Sequence, residues 1–203
     1  MVAHHNPLYS EQVRNLADES VDLPHGAPLL CAVGRLAEQK AFARLIVNHK
    51  KLLDQGIFHN LVIVGDGPDH NFLDRLIRAL GVEKTVTLAG YQANPYPYMK
   101  NCTFMVSSSL YEGLPVIVME ALSLGIPVVA PIPSVAEAFG EDFCGLITDN
   151  TMEALEEGIR KMLTDADTFQ RAKAGAEKRS VHFDGKRMVK EVEEMFLSLV
   201  EET

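Results

Sequence analysis

Two cations and two carboxylates are the charged residues best placed for chemistry in this sequence. Arg35 and Lys40 stand five residues apart in Gly34-Arg35-Leu36-Ala37-Glu38-Gln39-Lys40, directly after an apolar run. Gly34 lets the backbone turn where that run ends. At a helix start the two cations can hold one anionic group, the guanidinium as a fork and the ammonium as a point charge. The free N–H groups of the helix terminus add to that field. The other reading is a solvated surface pair. Glu112 and Glu120 lie in Ser107-Ser108-Ser109-Leu110-Tyr111-Glu112-Gly113-Leu114-Pro115, followed by an apolar stretch that ends at Glu120. Glu120 is therefore expected on a largely buried helix, where an unpartnered charge is costly. Facing a cleft, it would accept hydrogen bonds from paired hydroxyls such as those of a ribose. Glu112 sits at the mouth of the same helix, beside the N–H groups of Gly113 and Leu114; Pro115 has none to offer. The alternative makes Glu112 a charge on the helix dipole and Glu120 an exposed helical residue.

Two further loops carry weaker signals. In Gly65-Asp66-Gly67-Pro68, Asp66 is a candidate helix cap, Pro68 suits a first helical position, and the glycines allow a ligand to come close. The same letters also describe an ordinary turn. In Gly90-Tyr91-Gln92-Ala93-Asn94-Pro95-Tyr96-Pro97-Tyr98, the backbone at Gly90 can meet a flat base edge and Tyr91 can stack on it. A turn packed on its own domain is the competing reading.

The elements that must position these residues alternate. Apolar, β-branched runs predict strands at 29–33, 61–64, 86–88, 104–106, 127–130 and 145–147. Helical stripes lie between them at 42–53, 72–80, 115–124, 152–163 and 168–179, and a last amphipathic stripe runs from Met188 to Leu199. Continuous apolar strands separated by helices predict an α/β fold: a doubly wound, Rossmann-like, mostly parallel six-stranded sheet with helices on both faces. In such sheets ligands sit beyond the carboxyl ends of the strands, which is where the four loops above lie.

The chain has 203 residues, 47% apolar and 23% charged, enough for one domain with a short appendage and unlike a disordered or fibrous chain. Its net charge of −9 argues against a generally basic nucleic-acid surface. No charge-free run reaches the ~20 residues of a membrane-spanning helix, and no apolar stretch after Met1 suggests a secretory leader. Cys31, Cys102 and Cys144, spread along the chain in apolar runs, read as reduced, buried thiols of a cytoplasmic protein. His4-His5 is adjacent rather than at ligand spacing, so no metal site is expected.

In combination these motifs resemble the donor-binding domain of the GT4 (group 1) glycosyltransferases, retaining enzymes of the GT-B fold. The resemblance rests on Gly34-Arg35-Leu36 with Lys40, Val64-Gly65-Asp66-Gly67-Pro68, Leu88-Ala89-Gly90-Tyr91, Glu112-Gly113-Leu114-Pro115 with Glu120-Ala121-Leu122, and Gly125-Ile126-Pro127-Val128-Val129. It implies that Arg35 and Lys40 hold the donor diphosphate, Glu120 the ribose hydroxyls and Glu112 the transferred sugar. Gly113 and Leu114 would supply backbone donors, Gly34, Gly65 and Asp66 would line the nucleotide site, and Gly90 and Tyr91 would meet the base. Arg35, Lys40 and Glu112 are the catalytic candidates. The cations would stabilise charge growing on the departing nucleoside diphosphate, so no metal or cofactor is required. Such a site requires the groups at 35, 40 and 120 to open onto one cavity. Ala41 stands where a glycine or small polar residue often follows the lysine, a change expected to be harmless. Pro131-Ile132-Pro133-Ser134-Val135-Ala136 replaces a glycine-rich stretch, and Glu137 and Glu141 are both candidates for its carboxylate.

The resemblance further implies one half of a two-domain enzyme. A lead-in segment over 1–27 would come from the missing N-terminal half, the donor domain would span 28–180, and a C-terminal helix over 181–203 would pack back toward that half. The expected reaction is transfer of a hexose-type sugar from a nucleoside-diphosphate sugar to a saccharide or lipid-linked acceptor, in surface polysaccharide or glycolipid synthesis. UDP-sugar is the foremost donor, with GDP- and ADP-sugars as alternatives. The half alone would be inactive; nucleic acid is not an expected partner. The full-length enzyme would be cytoplasmic, touching the inner membrane face peripherally. Competing readings are a related nucleotide-sugar epimerase and a non-catalytic nucleotide-binding module. A dinucleotide oxidoreductase would need Gly-x-Gly-x-x-Gly after the first strand, and none is there.

Overall fold

A computed structural model of the chain describes residues 10–113 and 115–183. It opens with α1 (Ser10–Leu16), then β1 (Leu29–Val33), α2 (Phe42–Asp54), β2 (Asn60–Val64), α3 (His70–Leu80) and β3 (Val86–Gly90). There follow α4 (Tyr96–Lys100), β4 (Phe104–Val106), α5 (Val116–Ser123), β5 (Val128–Ala130), α6 (Val135–Phe139), β6 (Gly145–Ile147), α7 (Met152–Thr164) and α8 (Ala166–Arg179). All six strands are parallel, in the order β3-β2-β1-β4-β5-β6. This is the predicted doubly wound sheet.

Strand periodicity divides the core into two layers. Cys31, Val62, Val64, Met105, Val128 and Ala130 face α5, α6 and the end of α8. Leu30, Ala32, Leu61, Ile63, Phe104 and Val129 face α2, α3 and α7. β1 and β2 pair residue for residue, from Leu29 opposite Asn60 to Val33 opposite Val64. Their ends therefore lie level, and so do the loops that leave them. The register between β2 and β3 slips after Ile63, which puts Gly90 rather than Ala89 opposite Val64. Thr151 and Asp165 cap α7 and α8, accepting from the N–H groups of Ala154 and Thr168 at 3.1 Å each.

Several elements depart from the sequence reading. α4 and α6 stand in stretches read as loops, and Glu38–Lys40 is a 3₁₀ turn ahead of α2. α6 buries Val135, Ala138 and Phe139, a stripe too short to register as periodic. The segment 10–27 is built into the domain: Val13, Ala17 and Leu23 are buried. Arg14 on α1 donates to the carbonyls of Ser123 and Ser180, each at 3.2 Å. Cys31 and Cys102 are neighbours, not isolated thiols. Their mutual hydrogen bond, then burial, holds Cys31 well above the ordinary thiol range. The readings made of His4-His5 and of the stripe from Met188 to Leu199 lie outside the described residues. Among those described, no helix is long and apolar enough to cross a membrane.

Candidate functional site

The strand order reverses between β1 and β4, so the loops leaving them diverge and open a crevice at the carboxyl rim. A cavity of about 280 Å³ lies there, walled by Val33–Arg35, Val64–Asp66, Tyr91, Gln92 and Pro95. Its floor is two interlocked loops. Gly34 N–H donates to Val64 O at 2.9 Å, Leu36 N–H to Asp66 O at 3.0 Å, and Asp69 N–H to Leu36 O at 2.9 Å. This packing explains the glycines after β2. A Cβ on Gly65 would sit 1.9 Å from Gly34 O, and one on Gly67 2.4 Å from Leu36 O. The close approach these glycines permit is between two stretches of backbone, and Gly65 also lines the cavity. Asp66 is not a helix cap either: its Oδ1 accepts from the Gly67 N–H at 2.8 Å, closing the turn, and α3 begins only at His70, beyond Pro68.

Arg35 is exposed at the cavity wall. Tyr91, 75% exposed, stands opposite with its ring free to pack on a ligand. Gly90 turns its carbonyl to the Gly65 N–H at 2.8 Å, which fastens β3 to the loop after β2. Gln92 and Pro95 line the cavity without having been singled out. Gln92 donates to Ala89 O at 2.8 Å, and its only sequence signal was its place in the same loop.

Lys40 and Glu112 meet beside a small void of about 10 Å³, which Lys40, Ser107, Ser108, Ser109 and Ile117 line but Glu112 does not; Val33 borders both spaces. The ammonium is ion-paired with Glu112 Oε1, and Ser109 Oγ donates to the same oxygen at 2.6 Å. Glu112 is thus largely buried against a cation, rather than a free charge on the helix dipole. The two segments are laced together by Leu110 N–H to Gln39 O at 2.8 Å, Ser108 Oγ to Lys40 O at 2.7 Å and Gln39 Nε2 to Tyr111 O at 2.9 Å. Ala41, next to Lys40, has φ 49° and ψ 40°. The missing glycine is therefore not harmless, because this left-handed conformation presses Cβ against the backbone.

Glu120 is half-buried on α5 and accepts from Tyr96 Oη of α4 at 2.9 Å. Burial raises its pKa against the lowering effect of that hydrogen bond. Burial, then the hydrogen bond to Glu120, pushes Tyr96 up to about 12. Neither of the two cavities described among these residues is lined by the groups at 35, 40 and 120 together: Arg35 borders the larger space and Lys40 the smaller, and Glu120 lines neither. Tyr96 instead links Glu120 to Pro95 in the cavity wall. Gly113 is exposed, and its carbonyl accepts from Ser134 Oγ at 2.8 Å, which ties the loop after β5 to that before α5. Leu114 lies outside the described residues. Glu137, on the outer face of α6, and Glu141, just beyond it, are both exposed. Among the described residues no cluster of His, Cys, Asp and Glu is arranged to hold a metal. The Asp-x-Asp at Asp165-Ala166-Asp167, which the sequence reading passed over, is accounted for in part by the cap of α8: Asp165 also accepts from Thr168 Oγ1 at 2.7 Å.

The family model for glycosyl transferases, group 1, matches residues 13–179, and the chain belongs to that family. A glycosyltransferase of Methanocaldococcus jannaschii, uncharacterised in function, is 38% identical over 125 residues, 62% of this chain and 29% of its own. A Campylobacter jejuni enzyme is 31% identical over 183 residues, 89% of this chain and 49% of its own. That enzyme is the N-acetylgalactosamine-N,N'-diacetylbacillosaminyl-diphospho-undecaprenol 4-alpha-N-acetylgalactosaminyltransferase. Among solved structures, Anabaena HepE in complex with UDP superposes with a TM-score of 0.74 at 21% identity, covering 93% of this chain and 51% of the other. The shared architecture is the Rossmann-like half of the GT-B fold. The chain spans about half or less of the length of each of these proteins.

Proposed function

We propose that this chain is the donor-binding domain of a retaining GT4 enzyme. It would take a nucleoside-diphosphate hexose, a UDP-sugar first, and serve transfer to a saccharide or lipid-linked acceptor in surface polysaccharide or glycolipid assembly. The observation that carries this reading is the pairing of two spaces across Val33. One is a cavity with an exposed guanidinium and an exposed tyrosine; the other is a small void bordered by Lys40, whose ammonium is ion-paired with Glu112. A nucleotide lying along the rim would place its base against Tyr91 and Gln92 and its diphosphate between Arg35 and Lys40. The sugar would then lie toward Glu112 and Gly113. Glu120, steadied by Tyr96, would take the ribose hydroxyls. As the glycosidic bond breaks, charge grows on the leaving phosphate, and two fixed cations stabilise that state more than the ground state. Relatives support the class of donor and acceptor: HepE was crystallised with UDP, and the Campylobacter enzyme acts on a diphospho-undecaprenol-linked saccharide.

Titration calorimetry with UDP, GDP, ADP and NAD tests the reading. UDP is expected to bind best, and Arg35→Ala to weaken it about tenfold while the fold is unchanged. Glu120→Gln is expected to weaken UDP more than inorganic pyrophosphate, which has no ribose. Selective binding of NAD, or UDP affinity indifferent to Arg35, overturns it.

A further inference from the structure

Beneath the loop that carries Glu112 lies a cation that no carboxylate among the described residues pairs with. Arg44, in the first turn of α2, is only 9% exposed. Its hydrogen bonds go to neutral acceptors: Nε to Ser108 O, Nη2 to Ser109 O and Nη1 to Asn150 Oδ1, all at 2.8 Å. Asn150 Nδ2 in turn donates to Leu110 O at 2.5 Å. Three consecutive carbonyls, at 108, 109 and 110, are thus gripped by one guanidinium and the amide it orients. Burial lowers the pKa of Arg44, with no counter-charge opposing it. Placing a cation there has a desolvation cost that dipoles offset only in part.

We propose that Arg44 and Asn150 are positioning residues for the donor site: together they fix the backbone of residues 108–110 and thereby aim Glu112 at the transferred sugar. The inference rests on the donor-site reading above. Neither side chain touches the ligand in this arrangement. The fork matters more than the charge, because a lysine at position 44 has no rigid pair of donors to span adjacent carbonyls. The anchor also works on Lys40 indirectly, since Ser108 Oγ and Leu110 N–H are bonded to the backbone of Lys40 and Gln39. Loosening the loop therefore moves Glu112 relative to its cation, while Arg35 and Tyr91 in the larger cavity stay in place.

The test compares Arg44→Lys, Asn150→Ser and the double variant with the unsubstituted chain. Binding of UDP is measured beside UDP-glucose, UDP-galactose and UDP-N-acetylglucosamine, together with hydrogen exchange at the Leu110 amide. The ratio of sugar-nucleotide to UDP affinity is expected to fall about tenfold for the sugar bound best. The Leu110 amide is expected to exchange at least tenfold faster, and the double variant to be no worse than the worse single one, because the two residues act as one unit. Equal weakening of UDP and UDP-sugar, or an unchanged ratio and exchange rate, overturns the proposal. Asn150 is exposed, so its variant carries the test if Arg44→Lys fails to fold. If the unsubstituted chain binds no UDP, the donor-site reading falls. The Leu110 exchange rate then still decides whether Arg44 and Asn150 hold the loop.

Discussion

Ala41 holds a left-handed backbone that glycine adopts without strain, and it holds it between Lys40 and the first residue of α2. The Cβ costs about 1–2 kcal/mol there, and the extra freedom of an unfolded glycine returns part of that. Ala41→Gly is expected to raise unfolding stability by about 0.5–1 kcal/mol, read as a higher urea midpoint at constant slope. A lower midpoint would mean that neighbouring contacts, rather than the dihedral, set the energy. Glu112 makes a second claim at this scale. Lys40 and Ser109 both bond its Oε1, so an arriving phosphate must compete for the ammonium and also meet the carboxylate's charge. Glu112→Gln is expected to bind UDP about three- to tenfold more tightly, while Lys40→Ala binds it at least tenfold more weakly. Calorimetry at fixed ionic strength reads both; weaker UDP binding by Glu112→Gln would show that the carboxylate does not hold the lysine back.

Elements with a long apolar period were legible from sequence. β1, β2 and α3 stand where apolar run and stripe placed them, because burial on a sheet or helix face is the force that both writes the pattern and folds the segment. α4 and α6 were not legible: one turn each leaves too few residues for a period, and both are held by packing against other elements. The site divides along the same line. Arg35 and Glu112 were marked by charge beside glycine and Lys40 by its spacing from Arg35, whereas Tyr96 and Arg44 were not. A tyrosine in a proline-rich loop and an arginine in a helix give no sign of partners 24 and 64 residues away. The foot of the sheet hides a similar contact, where α2, β2 and the start of β3 meet. His59 Nδ1 faces Ile57 O at 2.9 Å and so carries its proton, leaving Nε2 to accept from His49 Nδ1 at 2.8 Å; His49 Nε2 lies 2.9 Å from Thr85 Oγ1, whose hydroxyl is also within 3.2 Å of Val82 O. This chain needs both rings neutral. Burial, then the neighbouring His59, pushes His49 down to about 3, and burial lowers His59 as well. The unfolded chain binds these protons below pH ~6.5 and the folded one does not, so stability is full above ~6.5 and falls as the pH drops toward 3. Each ring contributes up to ~1.4 kcal/mol per pH unit in that window. Urea unfolding at pH 7.5 and 5.5 should show a smaller acid loss in His49→Leu than in the parent, by about 1 kcal/mol; an equal loss would place the acid-sensitive groups elsewhere.

At the scale of the whole molecule, the proposed donor site has a candidate for each part of the nucleotide, and among the described residues no group is assigned to an acceptor. The rim beyond Glu112 is instead apolar and exposed, with Leu110, Tyr111 and Val116 side by side along the chain's path into α5. Binding and turnover should therefore separate. On the proposed reading, binding of UDP would draw on Arg35, Lys40, Tyr91 and Glu120, all within this chain. Transfer needs an acceptor hydroxyl held within reach of the anomeric carbon and water kept away from it, and in the relatives the remaining half or more of the chain is present. The chain by itself is expected to bind UDP-sugar with an affinity set by those four residues, and to transfer no sugar above the rate without protein. A chain extended by an N-terminal half of the kind the proposed reading implies would be expected to bind UDP within about tenfold of the same affinity and to turn over. Product anomers, read by NMR coupling constants, should then keep the donor's configuration. Transfer by the 203-residue chain alone, at a rate lost on Glu112→Gln, would mean that the acceptor site too is built from these residues, with the apolar rim beside Glu112 the place to look for it.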